Sequence, residues 1–449
     1  RKYVTRIVGR TGTTVTISPP LLFDLPQELA PVLRPVGRYT EFVGIEDLTV
    51  DGVHCPSGNC LVNIGQAYGC WIRNVTVRNG ERRLLSIDGS LHCEMRHCNL
   101  YGRKVEAQPN SGGLFLTMST ACLIEDNILS PATEMSGGAT GNVLAYNFCD
   151  DVGVQGNLLC ASLNANHGAH NSFNLFEGNF MPRFQSDGYH GSASHDTAFR
   201  NWFHGTSTRT TQYWICVTLN RFSRDYSLVG NVLGRRGFDW LREVEMEGFN
   251  YAKHFICSFG YPNMGNGWCN GRTAQPSQGR YWADWDPSVG TAIRGVLTER
   301  TSDETGVITL TSGTLTPGQS PMLRGGQTQS WVRIGRVEGD TAEVDARPWG
   351  ARLPRVNTEV LLFPGAGGFQ ELDLDVAATT LRKGNYNFHD GGVPPDEALG
   401  DAVLPPSLYL DGKPDWFGDL AWPPFGPDTD FEDNTIPAQA RYEEIGMQG

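Results

Sequence analysis

An all-β fold, a solenoid of parallel strands called a β-helix, is predicted by three features of this 449-residue chain. A short motif recurs eight times, glycine is abundant at 54 residues, and charged residues make up only 19%. Recurrence at intervals of 20 to 32 residues is typical of one stacked supersecondary unit per copy, with insertions confined to the turns. Frequent glycines and sparse charges indicate many turns and few long amphipathic helices.

The motif reads apolar, polar, a turn residue, any residue, then apolar. Its copies are IEDLTV from Ile45, IRNVTV from Ile72, MRHCNL from Met95, IEDNIL from Ile124, LAYNFC from Leu144, FEGNFM from Phe176, FRNWFH from Phe199 and LVGNVL from Leu228. Each copy is too short and too rich in β-forming residues to hold a strand with a covering helix every time. We therefore expect stacked coils from about residue 42 to about residue 235.

Stacking the copies predicts an inward column of cysteines. Cys70, Cys93 and Cys122 each lie two residues before the first apolar residue of a motif, so they share its inward face. We interpret the column as a buried ladder of small apolar thiols, with disulfide bonding or metal binding as alternatives.

The second position of the motif, directly after its first apolar residue, is expected to face outward. Its side chains are expected to form a solvated ladder of paired charges. Its residues are Glu46, Arg73, Arg96, Glu125, Ala145, Glu177, Arg200 and Val229. The Asn and Asp residues nearby are expected in turns, where a stacked amide ladder can satisfy the backbone. They are Asn74, Asp126, Asn127, Asn147, Asn179, Asn201 and Asn231.

The remaining segments suggest three regions. Residues 1–290 are predicted to hold an N-terminal hairpin at 3–18, the β-helix, and long aromatic loops laid over it at 236–290. Residues 291–363 are predicted to form a small β insertion, since strand-like stretches flank turn residues there. Residues 364–449 are predicted to hold a last β segment and a cap rich in Pro and Trp that wraps back along the solenoid.

Charge and hydropathy argue against two classes of partner, nucleic acid and the membrane interior. A formal charge of −13 without a long basic stripe argues against nucleic acid, and no apolar stretch approaches the roughly 18 residues of a membrane helix. We expect a secreted protein in mature or truncated form, because the loop from Cys55 to Cys60 is suited to a disulfide, and disulfides persist outside the reducing cytosol.

Reactive side chains concentrate between residues 150 and 200. The candidates are Asp151, His167, Asp187, His190 and His195. Aligning Gly178 with Asn201 predicts that His167 stacks beside His190. The same register predicts Asn164 beside Asp187 and Ser172 beside His195.

This cluster has the groups needed for acid–base chemistry. Asp187 is expected to act as base or acid or to orient His190, while a histidine can transfer a proton near neutral pH. Arg183 or Arg200 would hold an anionic group through a planar guanidinium. The alternative is that the same residues form ladders that only satisfy turn backbone.

Aromatic residues are the candidates for stacking against sugars, with simple packing onto the solenoid as the alternative. The proposed substrate-binding set is Tyr189, Trp240, Trp268 and Trp282, together with Arg183. No cofactor is indicated, although calcium bound by Asp150, Asp151 or Asp187 is an open possibility.

Two stretches resemble right-handed parallel β-helix proteins of the pectate-lyase-like superfamily, and in particular a bacterial secreted group of unassigned activity. They are Asn174–Asn179 followed by His190–Trp202, and a tail with Leu404–Leu410, Trp416–Gly418 and Trp422–Pro424. The resemblance implies the fold rather than the reaction, because this superfamily includes lyases, hydrolases, epimerases, tailspikes and adhesins. The Arg-x-Pro-x-x-Arg signature of pectate lyases and the Arg-Ile-Lys of polygalacturonases are absent.

The sequence therefore predicts a secreted protein that cleaves a polysaccharide by glycoside hydrolysis or by β-elimination. Hydrolysis would require a second carboxylate, for which Asp151 is the candidate. β-Elimination would require a base near the sugar C5 proton and a cation on the uronate. The alternative is a non-catalytic structural or adhesive solenoid that binds glycan or self-associates into a fibre.

Overall fold

Two compact units make up this protein. The structure, a computed structural model, describes residues 3–25, 27, 30–35, 37–55, 60–81, 83–102, 113–130, 132–150, 154–155, 158–159, 162–168, 170–188, 191–211, 214–244, 253–261, 293–319, 321–326, 328–347, 352–363 and 373–446. One unit comprises Arg1–Asp187, Ser192–Gly260 and Leu374–Gly449, and the other comprises Gly188–Gly191 and Tyr261–Asp373.

Parallel sheets build the first unit. Sheet A, in spatial order, contains Cys60–Gly65, Arg83–Asp88, Leu114–Thr117, Thr133–Ser136, Leu163–Asn166, Phe184–Ser186, Ile215–Asn220, His254–Tyr261 and Trp240–Glu243. Sheet B contains Gly44–Glu46, Trp71–Arg73, Glu94–Arg96, Leu123–Glu125, Val143–Ala145, Leu175–Glu177, Thr197–Phe199, Ser227–Val229 and Leu381–Lys383.

Sheet C consists of two four-stranded groups that Phe148 links by bridges to Ile128 and Phe180. The strands are Thr49–Asp51, Thr76–Arg78, Asn99–Tyr101 and Ile128–Leu129, then Phe180–Met181, Trp202–Phe203, Val232–Leu233 and Tyr386–Asn387. Each coil contributes a strand to sheets A, B and C in turn, and neighbouring coils pair in parallel. The predicted parallel β-helix is confirmed.

Shorter elements complete the first unit. Arg6–Thr11 and Thr14–Ser18 form the predicted N-terminal hairpin. Thr40–Glu41 pairs with Ala67–Tyr68, and Val154–Gln155 pairs with Leu158–Leu159. The helices are Leu374–Thr379 and Pro437–Ile445, with 3₁₀ turns at Pro395–Glu397 and Asp415–Phe417. No helix among the described residues is both long enough and apolar enough to span a membrane.

Alternation along the strands fills the interior. Ile72, Met95, Ile124, Leu144 and Phe176 stack as one fully buried column, since successive coils pair these residues directly. The predicted inward cysteine column is confirmed as well: Cys70, Cys93 and Cys122 are all buried. By contrast, Cys55 and Cys60, which the sequence made candidates for a disulfide, carry free thiols.

An amide ladder fixes the turn between sheets B and C. Its rungs are Asn127, Asn147, Asn179, Asn201, Asn231 and Asn385. On each rung the backbone N–H and the side-chain Nδ2 both donate to Oδ1 of the next rung, over 2.8–3.1 Å. Nδ2 also donates to a backbone carbonyl of the preceding coil. Glu397 ends the ladder by accepting from Nδ2 of Asn385.

The residue before each ladder position has a left-handed backbone, and so do the equivalent residues Asp47, Asn74 and His97 of the first three coils. The column consists of Asp47, Asn74, His97, Asp126, Tyr146, Gly178, Arg200, Gly230 and Gly384, with φ between 52° and 66°. This conformation is unfavourable for residues with a Cβ, which explains why glycine, Asn and Asp occupy most of the column. The hydrogen bonds of the adjacent ladder hold Tyr146 and Arg200 in it.

One motif copy has a register that differs by one residue from the sequence alignment. Phe176 pairs with Ala198, and Ala198 pairs with Leu228, so the seventh copy begins at Ala198 rather than Phe199. Asn201 consequently stacks on Asn179, whereas Gly178 was predicted as its partner. Similarly, Ser172 bridges Ser194 rather than His195. Aligning the ladder asparagines would have given the correct register.

The C-terminal tail covers the outer side of sheets B and C. Tyr146, Phe148 and Val232 of the solenoid form a second apolar core with tail residues that include Phe417 and Phe425. The predicted wrapping of the tail along the solenoid is confirmed.

The tail also corrects the expected solvated column. Glu125 and Glu177 are buried, where Tyr409 Oη donates to Glu125 at 2.6 Å and the Leu408 N–H donates to Glu177 at 2.8 Å. Burial raises the pKa of both carboxyl groups. Their outward direction was predicted correctly, but the tail at Leu408 and Tyr409 lies over them.

The second unit contains an antiparallel sheet. In spatial order its strands are Thr328–Trp331, Met322–Gly325, Glu359–Phe363, Ile293–Arg300, Thr305–Leu310, Thr341–Asp345 and Arg333–Glu338. The Gly318 N–H donates to the Ile334 carbonyl and the Ile334 N–H donates to the Gln319 carbonyl, which attaches the segment before Met322–Gly325 to the edge strand Arg333–Glu338. Leu297, Ile308 and Leu323 belong to its separate apolar core.

Within 236–290, part of the predicted loop region is sheet. Trp240–Glu243 and His254–Tyr261 are the last strands of sheet A, so the expectation of loops laid over the solenoid is wrong for them. The aromatic residues from 262 to 290 lie outside the described residues.

We expect Asn179→Ala to lower the free energy of unfolding by about 2–4 kcal/mol, because it leaves buried donors and acceptors of Asn147, Leu144 and Asn201 without partners. Urea unfolding measures this loss. Asn63→Ala removes an exposed amide from sheet A and is the matched control. Equal urea midpoints for the two variants would contradict the role of the ladder.

Candidate functional site

A row of outward side chains crosses sheet A. Direct Cα partners in successive coils are Ser86, Phe115, Glu134, Asn164 and Gln185. Their neighbours along each strand, such as Leu114, Met135 and Leu163, belong to the core, so alternation turns this row to the outside. The candidate site lies where the row passes Glu134 and Asn164.

A register shift brings Asp187 to this row. Pairing between Leu163–Asn166 and Phe184–Ser186 slips by one residue between Asn164 and Asn166. The Asp187 N–H then donates to the Asn166 carbonyl at 3.0 Å, while Asn166 Nδ2 donates to the Asp187 carbonyl at 2.6 Å. Such irregularities redirect a side chain at a strand end. As a result, Asn164 Nδ2 donates to Asp187 Oδ2 at 2.6 Å, although its backbone partner is Gln185.

His167 and Asp187 form an ion pair. His167 Nδ1 lies 2.8 Å from Asp187 Oδ2, and the imidazole keeps 22% of its surface exposed while the carboxylate is buried. Burial alone would lower the pKa of His167. The hydrogen bond and charge of Asp187, with the charge of Glu134, outweigh burial and raise the pKa to about 9. At neutral pH the imidazole is therefore a cation.

Glu134 is a member of the site that sequence reasoning missed. It is buried, it pairs with Asn164 in the sheet, and its charge acts on His167. The charge of Arg83 has the opposite effect and lowers the pKa of His167. The Arg83 guanidinium lies over the Phe115 ring, 3.6 Å from the ring centroid. The signal for Glu134 was its alternation within Thr133–Ser136, which puts it outward beside Asn164.

Arg183 lies on the same outer face of sheet A, in the coil that follows Asn164. Its Nη2 donates to Thr218 Oγ1 at 2.8 Å, and Thr218 is the strand partner of Gln185. The side chain is buried, and its backbone N–H donates to Ser162 Oγ at 2.8 Å. Arg183 is thus adjacent to the row, next to Gln185.

Three predicted site residues lie elsewhere. Arg200 donates to tail carbonyls of Pro405 and Phe425 and forms a bidentate pair with Asp428, with both oxygens within 2.8 Å, so its guanidinium anchors the tail.

His195 lies in a left-handed turn, with Nδ1 2.8 Å from Ser194 Oγ and its ring against Phe173. Trp240 is buried in the core, where its Nε1 donates to the Arg235 carbonyl at 2.9 Å. A buried indole cannot stack on a sugar, which corrects its predicted role.

Five further predictions fall outside the described residues. They are Asp151, Tyr189, His190, Trp268 and Trp282. Within the part of the chain that the structure describes, no group of three or more His, Cys, Asp or Glu is arranged to hold a metal ion. Asp150, proposed as a calcium ligand, accepts a hydrogen bond from Tyr442 Oη at 3.0 Å.

Comparisons with known proteins yield distant structural likenesses. No family model matches the chain, and no curated protein matches it. The chain is similar to the tailspike gp61 of Pseudomonas phage phi297, at 10% identity and a TM-score of 0.31, over 72% of this chain and 59% of that one. It thus spans less than two thirds of that tailspike.

Two further solved structures are similar. The Dettilon tailspike protein gp208 has 10% identity and a TM-score of 0.25, over 72% of this chain and 85% of that one. The A-module of the mannuronan C-5 epimerase AlgE4 of Azotobacter vinelandii has 14% identity and a TM-score of 0.22, over 49% and 71%. The fold assignment rests on the strand pairing within this chain.

The pair of His167 and Asp187 predicts a pH-dependent stability. Because the pKa of His167 is raised from 6.5 to about 9 in the folded state, its stabilisation is complete below pH 6.5 and is lost as the pH rises through about 9. The loss amounts to at most about 3 kcal/mol.

Urea unfolding at pH 6, 7.5 and 9.5 measures this loss, and His167→Gln should abolish that part of the slope. His195→Gln, at an exposed histidine outside the pair, is the control and should retain it. A slope that survives in His167→Gln would contradict the assignment.

Proposed function

We propose that the outer face of sheet A binds a polysaccharide and that the groups around His167 cleave it by glycoside hydrolysis. The observation that supports this most is the association of two buried carboxylates, Glu134 and Asp187, with one imidazolium. Hydrolysis requires a carboxylic acid that protonates the leaving oxygen and a carboxylate that attacks the sugar or activates water. The cluster reaches the surface at His167, whose imidazole keeps 22% of its surface exposed, so a sugar would approach it there.

The protonation state of His167 limits its role. With a pKa of about 9, the imidazole is protonated near neutral pH and is a poor base there. We assign the base or nucleophile to Asp187, which Asn164 and His167 orient by hydrogen bonds at 2.6 and 2.8 Å. Glu134 is then assigned as the proton donor, for which it must take up a proton when a bound sugar covers it, because its charge acts on His167 in the free protein. The positive charge of His167 holds Asp187 in place.

β-Elimination would use the same groups differently. There His167 and Arg83 would neutralise a uronate carboxylate, and one of the acidic side chains would remove the C5 proton. We favour hydrolysis because the site contains two carboxylates, and elimination needs only one base. Export to a polysaccharide-containing environment is part of the proposal. A disulfide between Cys55 and Cys60 does not support export, because both residues carry free thiols.

The proposal predicts new reducing ends, without absorbance near 235 nm, when the protein is incubated with neutral and uronate polysaccharides. Glu134→Gln and Asp187→Asn should each lower kcat/KM by about 100-fold or more, since each removes an acid–base group. His195→Gln, outside the site, should keep the wild-type rate. Absorbance at 235 nm that depends on Asp187 would instead indicate elimination, and activity retained in both carboxylate variants would exclude this site.

A second candidate function is a non-catalytic, self-associating solenoid, favoured by the first coil. Val43 and Leu48 are exposed there, and Gly44–Glu46 and Thr49–Asp51 are the terminal strands of sheets B and C among the described residues. An uncovered strand edge can pair with another chain.

This candidate predicts that the mass measured by light scattering rises with protein concentration and that Leu48→Glu abolishes the rise. Val403→Glu, at an exposed position in the tail, is the control. A constant monomer mass from micromolar to millimolar concentration would contradict self-association.

A further inference from the structure

We infer that the outer face of sheet B in the first three coils is a binding site for a neutral oligosaccharide, separate from the site around His167. A groove of about 330 Å³ opens there, lined by Glu46, Trp71, Arg73, His92 and Glu94. An aromatic ring surrounded by a few polar groups is the usual composition of a small-molecule site. The inference concerns binding alone and stands whether or not the proposed cleavage occurs.

Trp71 is held in one orientation. Its indole lies directly over the backbone of Gly44, because a Cβ at Gly44 would fall 2.1 Å from Trp71 Cε2. Nε1 donates to Glu46 Oε1 at 2.6 Å and fixes the ring along the strand. A ring fixed before binding loses little conformational entropy when a ligand stacks on it. Gly44 and Glu46 thus prepare a rigid aromatic surface.

The polar groups around the ring are exposed and charged. Glu46 pairs with Arg73 at 3.7 Å, with 43% and 50% of their side-chain surfaces accessible, and Glu94 pairs with Arg96 at 3.1 Å. Carboxylates accept and guanidinium groups donate hydrogen bonds, so together they match the hydroxyl groups of a sugar, which do both. The aromatic ring matches the apolar C–H face of the sugar.

Further along sheet B, the C-terminal tail covers the outward column to which Glu46 belongs, and its contacts there show which groups this column can bind. Glu46 belongs to the column that contains Glu125 and Glu177. From the tail, Glu125 accepts the Tyr409 hydroxyl at 2.6 Å and Glu177 accepts the Leu408 N–H at 2.8 Å. A hydroxyl group is therefore one of the donors that this face accepts further along, and Glu46 presents the same carboxylate in the open part.

The adjoining turn extends the aromatic surface along the solenoid. Phe42, Tyr68 and His92 come from three successive coils, with neighbouring ring centroids 5.3 and 6.0 Å apart. The rings meet edge to face, at 77° and 78°, and the Arg6 guanidinium lies over the Tyr68 ring. Phe42 and His92 are exposed on either side of Tyr68, so the aromatic surface is longer than one sugar. The ligand class is therefore an oligosaccharide rather than a single sugar.

Charge selects a neutral ligand. Among the described residues that line the groove, Glu46 and Glu94 outnumber Arg73, while Arg96 pairs with Glu94 beside it. The chain carries a formal charge of −13. A polyuronate would place a carboxylate on every unit against these acidic groups, and like charges in proximity disfavour binding. This distinguishes the groove from a site for acidic polysaccharide.

Calorimetric titration of the full chain with cellohexaose, mannohexaose and hexamannuronate tests the inference. We expect at least one neutral hexasaccharide to bind more tightly than hexamannuronate. Trp71→Ala should weaken that binding by about 10-fold or more, which corresponds to about 1.4 kcal/mol. Gly44→Ala, which displaces the indole, should weaken it comparably, and Glu46→Gln by about threefold.

Two controls separate this site from the rest of the molecule. Phe238→Ala removes an exposed aromatic side chain remote in sequence from the groove and should leave the affinity unchanged. His195→Gln, at an exposed histidine outside both sites, should also bind normally. Undiminished binding by both Trp71→Ala and Gly44→Ala would overturn the inference. So would a preference for hexamannuronate, or no binding of either neutral hexasaccharide.

Discussion

The asparagine ladder at the turn between sheets B and C is the constraint on which the rest of the structure depends. Each rung uses its amide to satisfy a neighbouring coil, and each also stabilises an adjacent left-handed residue. Since buried amides are costly without partners, a slip by one residue would leave several donors unsatisfied at once. The ladder thus fixes the register of the coils from Asn127 onward, and through it the position of their outward rows.

Outside the ladder, sheet B has a covered part and an open part. From Glu125 onward the tail lies over the sheet, held by the Arg200 guanidinium, which donates to tail carbonyls and to Asp428. Arg200 belongs to the left-handed column, so the ladder and the tail support each other. Before Glu125 the same face is accessible around Trp71. One column of residues therefore serves internal packing at one end and is available to ligands at the other.

Sheet A carries a different kind of surface. Its outward row places Glu134 and Asn164 side by side, and a single register shift adds Asp187 and His167. Two negative charges raise the pKa of His167 against the effect of burial. The resulting charged cluster is expensive to bury unless its members pair with each other. Asn164 and His167 both pair with Asp187, which offsets this cost.

The amino-acid sequence by itself determined the repeat, the inward cysteine column and the wrapping tail, because each depends on local periodicity or composition. Strand alternation is likewise local, which is why Glu125 was correctly turned outward. Asn164 does contact Asp187 as predicted, but through a register shift rather than the predicted alignment, since its strand partner is Gln185. Only the tertiary structure decided what covers an outward residue: Glu125 lies beneath Tyr409, 284 residues away. It also decided that Arg200 anchors the tail, that Trp240 is core, and that Glu134 joins His167. These outcomes depend on contacts between distant segments, and no spacing within the motif encodes them.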